Sequence, residues 1–349
     1  MCTSVIDDPK RGARPFVVAE ISGNHNGSLD RALDIVRAAA EAGADAVKIQ
    51  TYTADTITLD VDSPAFRVSE GHELWGSRTL HSLYEEAHTP WEWHEPIFDL
   101  VRELGLVAFS TPFDESAVEY LEGLQVPLYK VASLEIVDLP LIRMIAETGK
   151  PMILSVGTAA LSEVAVAVET ARSGGCGDLT LLVCTSAYPA QPDDANLRRI
   201  PVIAEIFGCR VGLSDHTLGI GVAVAATSLG ARVIEKHVTL SRADGGIDAA
   251  FSLEPAELEQ MVAECDVAAR SLGSADVWHV EAEGESLRLR PSLYVTGGVK
   301  AGERVTADNV RSVRPSGGLP PAEFPNVLGR SFARDADKGT PVTWDLLSN

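Results

Sequence analysis

Positive charge is scarce in this sequence. Lys and Arg total 29 residues against 50 Asp and Glu, which gives a formal net charge of -21. Nucleic acids and anionic membranes attract basic surfaces, so this balance argues against both as partners. Any anionic ligand would need a local cationic pocket.

Paired cysteines and long apolar runs are also missing. The five cysteines lie far apart without a CxxC pair, which argues against a disulfide framework and a zinc knuckle. No stretch reaches ~18 uninterrupted apolar residues, and the first residues, MCTSVIDDPKRGARP, carry no apolar signal core. We therefore expect a soluble, cytoplasmic protein.

Short apolar runs alternate with amphipathic segments along most of the chain. The first helix is predicted between Ser28, an N-cap residue, and Gly43, a stop signal. Eight runs have strand character: 16–22, 44–50, 106–113, 128–133, 151–157, 179–186, 210–216 and 232–238. Eight strand-then-helix units predict an α/β fold, a (β/α)8 TIM barrel, whose active site lies at the C-terminal ends of the strands.

The pattern changes near the end of the chain. A length of 349 residues allows one large and one small domain. Helical periodicity stops after Gly273, and the segment that follows is polar. We expect the barrel over residues 1–275, a linker over 276–290 and a small compact β-rich domain over 291–349.

Residues 211–240 are the stretch around which the predicted site is organised. They read as a strand, a small-residue helix and a second strand, with His216 and His237 near the strand ends. Alternate strand residues share a face, so Ser214 lies with His216 and Glu235 with His237. Neutral imidazole is a common ligand of divalent metals, and a nearby carboxylate orients such a ring. The pair therefore favours a metal site over two hydrogen-bonded core histidines.

Polar residues collect at the other predicted strand ends as well. Lys48, Lys130 and Lys236 lie inside apolar runs, where a free ammonium is costly, so they are candidate pocket residues or else stems that reach solvent. Their companions are Glu20, Gln50, Thr111, Ser133, Glu135, Ser186, Tyr188, Ser214 and Asp248. Lysines with hydroxyls suit a small polyanion such as a phosphate ester that carries a carboxylate.

An aromatic-rich insertion follows the second predicted strand. It spans about residues 55–96 and contains Trp75, Trp91 and Trp93. At a barrel mouth these rings could form a wall for a sugar. The alternative is that they bury the loop against the barrel or make an oligomer contact.

Several motifs occur in a specific order along the chain. AEISGNHNGSLDRALDIVRAAAEAGADAVKIQTYTADT is followed by FSTPF, YKVASLEI, CTSAYP, GLSDHT, IEKHVTL and AFSLEP. In this order they resemble the sialic acid synthase family, most of all its pseudaminic acid branch. The C-terminal segment resembles the antifreeze-like (SAF, β-clip) domain of those enzymes.

The resemblance implies a transferase that forms a C–C bond. Phosphoenolpyruvate would condense with an altrose-configured 2,4-diacetamido-2,4,6-trideoxyhexose to give pseudaminic acid and phosphate. The alternatives within the class are N-acetylneuraminate or legionaminate synthesis, or a related nonulosonate synthase of a specialised pathway. GGID replaces the usual Gly-Pro-Asp before Asp248, and SVGTAAL replaces a Ser-Thr-Gly-Met pattern; the first change bears on the identity of the sugar.

The resemblance also implies roles for the candidate residues. His216 and His237 would hold Mn2+, Mg2+ or Co2+, while Lys48, Lys130, Thr111, Ser133 and Ser214 would bind phosphoenolpyruvate and Ser186 would stand where a relative uses asparagine. Gln50, Tyr188 and Asp248 would line the sugar end. Glu20, which faces the cavity, is the candidate general acid or base, with Glu135 and Asp248 next. Arg314 would reach the sugar in the partner subunit of a homodimer.

Two readings outside the family remain alternatives. One is a barrel lyase or aldolase that forms a Schiff base on a lysine, and the other is a binding protein whose small C-terminal domain is the active part. The dense ring of polar residues at the strand ends argues against the second.

Overall fold

The computed structural model describes residues 5–7, 12–69, 74–276, 278 and 280–348. The chain divides into two compact units, Met1–Leu272 and Gly273–Asn349. No helix in the described ranges is both long enough and apolar enough to cross a membrane.

The first unit is a closed barrel of parallel strands in the order β1 to β8. The strands are β1 (Phe16–Glu20), β2 (Ala46–Thr51), β3 (Val107–Pro112), β4 (Tyr129–Val131), β5 (Met152–Ser155), β6 (Leu179–Cys184), β7 (Arg210–Asp215) and β8 (Val233–His237). Each overlaps its predicted interval. The TIM barrel predicted from the alternating pattern is therefore confirmed.

Helices surround the strands. They are α1 (Leu29–Glu41), α2 (Ala54–Ile57), α3 (Leu80–Ala87), α4 (His94–Glu103), α5 (Glu115–Gly123), α6 (Leu139–Glu147), α7 (Leu161–Ser173), α8 (Arg199–Phe207), α9 (Gly221–Ser228) and α10 (Pro255–Ser271). In α1, the Ser28 side chain accepts a hydrogen bond from the Arg31 amide, and Ile35 and Ala39 share the buried face. Gly43 follows the helix with a φ of 83°, as a left-handed stop requires.

The barrel interior has an apolar floor. Inward-facing side chains of the strands pack into one cluster with Ile6: Phe16, Val18, Ala46, Phe109, Leu128, Ile153, Leu182 and Val233. Two residues farther along, the inward positions become polar, as in Glu20 after Val18 and Lys48 after Ala46. These polar groups therefore lie in a buried layer between the apolar floor and the C-terminal ends of the strands.

The second unit has its own small core. It contains α11 (Gly284–Leu287), β9 (Ser292–Val295), β10 (Val310–Val313), α12 (Phe324–Val327), β11 (Ser331–Phe332) and β12 (Leu347–Ser348). β9 pairs with β10 and β11 with β12, both antiparallel. Val295, Val310, Phe332 and Val342 lie in its buried cluster. The segment predicted as a linker, 276–290, contains α11 and the 3-10 turn Glu281–Glu283.

Candidate active site

Register in the barrel brings the predicted site residues to one level. Glu20 lies beside Lys48 on β2 and His237 on β8, and Ser214 lies beside Glu235. All of them are buried. The C-terminal ends of β1, β2, β7 and β8 therefore surround one polar layer.

Two buried lysines form the centre of this layer. Lys48 forms an ion pair with Glu20, and its Nζ lies 3.8 Å from Glu235 Oε2. Lys48 also donates a hydrogen bond of 3.2 Å to Thr111 Oγ1. Lys130 Nζ lies 3.9 Å from Glu235 Oε1. The local cationic pocket that an anionic ligand would need in this acidic protein is present, and Glu20 and Glu235 balance its two positive charges.

Hydroxyl groups line the same pocket. Lys130 donates to Ser155 Oγ at 2.8 Å, and Ser214 donates to Glu235 Oε1 at 3.0 Å. The hydroxyls of Ser133 and Ser186 lie 2.5 Å apart. Lysine, serine and threonine donors around one cavity can bind the oxygens of a phosphate and a carboxylate.

Gly157 leaves room for this pair of hydroxyls. A Cβ atom at position 157 would lie 2.6 Å from Ser186 Oγ and 3.1 Å from Ser133 Oγ. A side chain at this position would force the Ser186 hydroxyl to move and would crowd the Ser133 hydroxyl. Gly157 is the glycine of the altered SVGTAAL motif.

The charged groups of the layer have shifted pKa values. Burial raises the pKa of Glu20, against the effect of Lys48. Burial acts in the same direction on Glu235, but the charges of Lys130 and Lys48 outweigh it and hold the pKa of Glu235 below its usual value. Burial lowers the pKa of Lys130. An anionic ligand would therefore favour the charged form of Lys130 as it binds.

The two histidines predicted as metal ligands lie together at the mouth. Their ring centroids are 5.3 Å apart. His216 Nδ1 donates to the Thr185 carbonyl at 3.0 Å, which leaves the lone pair of Nε2 free. His237 Nδ1 is buried without a hydrogen-bond partner among the described residues. Burial lowers the pKa of both rings, which favours the neutral imidazole form.

Imidazole nitrogens are ligands that divalent transition metals bind well, and His216 and His237 supply two of them. Among the described residues, no group of three or more His, Cys, Asp or Glu is placed to hold a metal ion. The Asp248 carboxylate lies 3.7 Å from His237 Nδ1. The metal site therefore stays a prediction, in which water or substrate would complete the coordination.

The sugar-end candidates lie beside the histidines. Gln50 Nε2 donates to Glu20 Oε1 at 3.1 Å and to Ser22 Oγ at 3.2 Å, and Ser22 donates to Asp248. Burial raises the pKa of Asp248 to about 6. The Tyr188 ring lies 4.6 Å from His216. Polar and aromatic groups thus meet at the same opening.

The three tryptophans of the insertion do not share one role: one lies at the barrel mouth, and the other two pack the insertion against the barrel. The Trp75 indole donates to the Ile247 carbonyl at 2.9 Å and lies 5.6 Å from the Tyr188 ring. Trp91 stacks on Tyr120, and Trp93 packs edge-on against His25. Trp75 therefore lies at the barrel mouth, whereas Trp91 and Trp93 pack the insertion against the barrel.

The pocket role considered for Lys236 is wrong. Lys236 alternates with Glu235 and His237 on β8, so it lies on the opposite, outward face. Its Nζ is fully buried and pairs with Asp215 Oδ2 at 2.7 Å. The ammonium is neutralised between the barrel and its surrounding helices, away from the cavity.

Glu135 and Arg314 are the two remaining candidates. Glu135 begins the 3-10 turn Glu135–Val137 after β4, where burial raises its pKa against the charge of Lys130. Arg314 follows β10 in the second unit and is exposed. Their proposed roles stay predictions.

Sequence reasoning missed three residues of the site. Ser155 ends β5 and accepts from Lys130, and Cys184 ends β6 with Sγ 3.9 Å from His216 Nδ1. Strand alternation places both inward and could have identified them. Ser22 lies beyond β1, so no strand pattern could indicate its contact with Asp248, 226 residues away.

Two family models match the chain over most of its length. The NeuB family model matches residues 35–277, and the SAF domain model matches residues 290–348. The chain belongs to the NeuB family. Membership confirms the resemblance inferred from the ordered motifs and the antifreeze-like assignment of the C-terminal segment.

Characterised relatives cover nearly the whole chain. A pseudaminic acid synthase from Campylobacter jejuni strain 81-176 is 41% identical over 93% of this chain and 94% of that protein. The pseudaminic acid synthase of Helicobacter pylori is 41% identical over 95% and 97%, respectively. An N,N'-diacetyllegionaminic acid synthase from Legionella pneumophila is 34% identical over 95% and 94%. This NeuB family chain is accordingly a nonulosonate synthase, a transferase, which favours the enzymatic expectation over the binding-protein alternative.

A solved structure supports the same assignment. N-acetylneuraminic acid synthetase from Leptospira borgpetersenii, crystallised with citrate, matches with a TM-score of 0.69 at 32% identity. The match covers 79% of this chain and 91% of that one. The NeuB family fold is thus shared at the level of the tertiary structure.

Proposed function

We propose that this enzyme condenses phosphoenolpyruvate with an altrose-configured 2,4-diacetamido-2,4,6-trideoxyhexose to give pseudaminic acid and phosphate. The observation that carries the proposal is the pair of buried lysines, Lys48 and Lys130, in the same polar layer as two histidines: His237 lies beside Glu20, the partner of Lys48, and the His216 ring lies 5.3 Å from that of His237. An anion pocket and a site for a polarised carbonyl are then adjacent, as this condensation requires.

The lysine pocket suits phosphoenolpyruvate. Lys48 and Lys130 are each buried and within 4 Å of Glu235. The phosphate and carboxylate of the ligand would compete with the protein carboxylates for these ammonium groups. Thr111, Ser133, Ser155, Ser186 and Ser214 offer hydroxyls to the remaining oxygens. The desolvated site makes each of these contacts stronger than it would be in water.

The reaction forms one C–C bond and, at C2, replaces the C–O bond to phosphate with a C–O bond to a water oxygen. C3 of phosphoenolpyruvate attacks the aldehyde carbon of the sugar, and the aldehyde oxygen takes up a proton. A water oxygen adds at C2 and loses a proton. The tetrahedral centre then expels phosphate by C2–O cleavage and becomes the ketone, so the sum is phosphoenolpyruvate, sugar and water to nonulosonate and phosphate.

Glu20 is the proposed proton acceptor for the water. It faces the cavity from the end of β1, next to Lys48, and burial raises its pKa, which makes it a stronger base than a surface glutamate. Gln50 donates a hydrogen bond to its Oε1 and holds the group in place. Glu135 is the second candidate for this role, and Asp248, beside His237, is the candidate for proton transfer at the sugar end.

His216 and His237 are the residues that would hold the divalent ion. Mn2+, Mg2+ or Co2+ bound there would polarise the aldehyde oxygen and stabilise the negative charge that develops on it. The Thr185 carbonyl fixes the tautomer of His216, so that its Nε2 is presented as a ligand. His237 offers an unbonded nitrogen.

The pseudaminic branch is supported by the difference in identity among the relatives. The pseudaminic acid synthases reach 41%, against 34% for the legionaminic acid synthase. The acceptor is therefore proposed to be the altrose-configured diacetamido sugar.

A homodimer belongs to the proposal. Arg314 is exposed in the second unit, and we propose that it contacts the sugar in the partner's barrel. Mixing inactive His216→Ala and Arg314→Ala proteins through unfolding and refolding tests this. Heterodimers contain one complete site if Arg314 acts in trans, so activity returns toward one quarter of the wild type. No recovery would overturn the action of Arg314 on the partner's site.

The proposed function is tested by phosphate release from phosphoenolpyruvate. The altrose-configured diacetamido sugar, the legionaminate precursor and N-acetylmannosamine are offered separately with Mn2+, each with and without chelator. Chelator-sensitive release with the first sugar alone is expected. Release with another sugar would overturn the branch, and no release with any would overturn the proposal. Borohydride trapping of a keto acid on Lys48 or Lys130 would instead support the Schiff-base alternative.

A further inference from the structure

Ser22 has an unusual backbone conformation for its residue type. Its φ is 50°, in the left-handed region that residues other than glycine rarely occupy. The residue is buried and begins the turn Ser22–His25, two residues beyond the end of β1. Such conformations persist where surrounding contacts hold them, and they concentrate at functional sites.

The contacts of the Ser22 hydroxyl use both of its hydrogen-bonding roles. It donates to Asp248 Oδ2 and accepts from Gln50 Nε2 at 3.2 Å. Gln50 donates in turn to Glu20 Oε1 at 3.1 Å. One continuous chain of hydrogen bonds therefore joins the carboxylate at the sugar end to the carboxylate beside Lys48.

The backbone of Asp248 is anchored by other residues. Asn24 Nδ2 donates to the Val238 carbonyl at 2.9 Å and to Ser252 Oγ at 2.8 Å. Ser252 Oγ donates to the Asp248 carbonyl at 2.7 Å. The Asp248 carboxylate accepts hydrogen bonds from the Ser22 hydroxyl and from the Gly23 backbone. Removal of the Ser22 hydroxyl would therefore take away one of these two bonds without releasing the loop.

We propose that Ser22 is a positioning residue that holds the Asp248 carboxylate toward the acceptor sugar and couples it to Glu20 through Gln50. The left-handed backbone is what aims the hydroxyl at both partners. The role in sugar recognition rests on the proposed function, whereas the positioning of Asp248 is a property of the protein alone.

Steady-state kinetics of Ser22→Ala and Ser22→Gly test the recognition role. Both substitutions remove the hydroxyl, and glycine adopts the left-handed backbone freely. We expect KM for the sugar to rise about tenfold or more in both variants, because a hydrogen bond to a charged group is lost, while KM for phosphoenolpyruvate stays within about twofold. A purely structural role predicts normal kinetics for Ser22→Gly, and that result would overturn the proposal.

Gln125→Gly is the matched control for the backbone. Gln125 also has a left-handed φ, 55°, but it is exposed in the loop before β4. We expect normal KM values for both substrates in this variant. A raised sugar KM in Gln125→Gly as well would show that placing glycine at a left-handed position raises this KM by itself. The rise in Ser22→Gly would then not be due to loss of the hydroxyl, and the proposal would be overturned.

Crystal structures of the wild type and Ser22→Gly without substrate test the positioning role separately. In the variant the Asp248 carboxylate is expected to turn away from its position beside residue 22, with the Gly23 backbone as its remaining donor and the Asn24 and Ser252 contacts retained. An unmoved carboxylate would overturn the proposal even if the enzyme turns over the expected sugar. If the wild type releases no phosphate with any acceptor, the proposed function fails, and this comparison still decides the positioning of Asp248.

Discussion

Glu20 and Glu235 lie on the neighbouring strands β1 and β8 and share Lys48, but their environments shift their pKa values in opposite directions. Lys48 pairs directly with Glu20, while Glu235 lies 3.8 Å from Lys48 and 3.9 Å from Lys130. Burial raises the pKa of Glu20, whereas two lysines overcome burial at Glu235 and lower its pKa. One carboxylate thus remains a counter-charge and the other is able to take up a proton, a division of roles that suits acid–base catalysis.

Loss of the Lys130 charge is expected to impair phosphoenolpyruvate binding. Lys130→Met keeps the length of the side chain and removes the ammonium, which leaves Glu235 with one lysine fewer. We expect kcat/KM for phosphoenolpyruvate to fall about 100-fold or more. The control is Lys300→Met, since Lys300 is exposed in the second unit and pairs with Asp335. Equal kinetics in Lys130→Met and the wild type would remove Lys130 from the anion site.

Loss of Lys236 is expected to affect stability and not the kinetics of phosphoenolpyruvate. Lys236→Met would leave the buried Asp215 without its cation, at a cost of ~3 kcal/mol in the free energy of unfolding. The double variant Lys236→Met with Asp215→Asn should recover part of that loss, as measured by urea unfolding. A raised KM for phosphoenolpyruvate in folded Lys236→Met would show that Lys236 contributes to the pocket after all.

Metal binding is expected to depend on both mouth histidines. His216→Ala and His237→Ala should each abolish the binding of Mn2+ measured by calorimetry, because two protein ligands hold the ion in the proposed site. His81→Asn is the control, since His81 pairs with Asp55 on the insertion. Retained Mn2+ affinity in either alanine variant would place the metal elsewhere.

Trp75 is expected to contribute to binding of the sugar and not to binding of phosphoenolpyruvate. Trp75→Ala removes the bond to the Ile247 carbonyl and the ring beside Tyr188, so KM for the sugar should rise about tenfold; Trp75→Phe keeps a ring and should show a smaller rise. Trp91→Phe, which alters the packing on Tyr120, is the control. An effect confined to thermal stability would assign Trp75 a structural role only.

His94 is expected to make the barrel less stable in mild acid. Burial lowers its pKa to about 4, below the ordinary value of 6.5 that applies once the chain unfolds. The unfolded state therefore binds the proton first, and the stabilisation present above pH 6.5 is lost progressively as the pH falls toward 4.

The His94 contribution amounts to about 2 kcal/mol between pH 7 and pH 5. His94→Gln should lose correspondingly less stability than the wild type over this interval, as measured by urea unfolding at both pH values. The control is the half-buried His81, whose pKa is raised by its hydrogen bond to Asp55, so that its contribution to stability grows as the pH falls. Identical pH dependence in the wild type and His94→Gln would contradict the prediction.

Local periodicity was sufficient to predict much of this molecule. The alternation of short apolar strands and amphipathic helices identified the barrel, because each period reflects which side chains face the core. Strand alternation also paired Ser214 with His216 and Glu235 with His237. The same rule excludes Lys236 from the cavity and includes Ser155 and Cys184, so those three assignments were available from the sequence.

Only the tertiary structure decided the contacts that depend on closure of the barrel. Asp248 meets Ser22 across 226 residues, and Trp75 meets Ile247 across 172. These residues lie in loops beyond the strand ends, where no repeating pattern fixes the direction of a side chain. The sequence by itself determined the fold and the inward ring of lysines, hydroxyls and histidines. The folded chain decided which loops meet above that ring, since such contacts arise from the register and closure of all eight strands together.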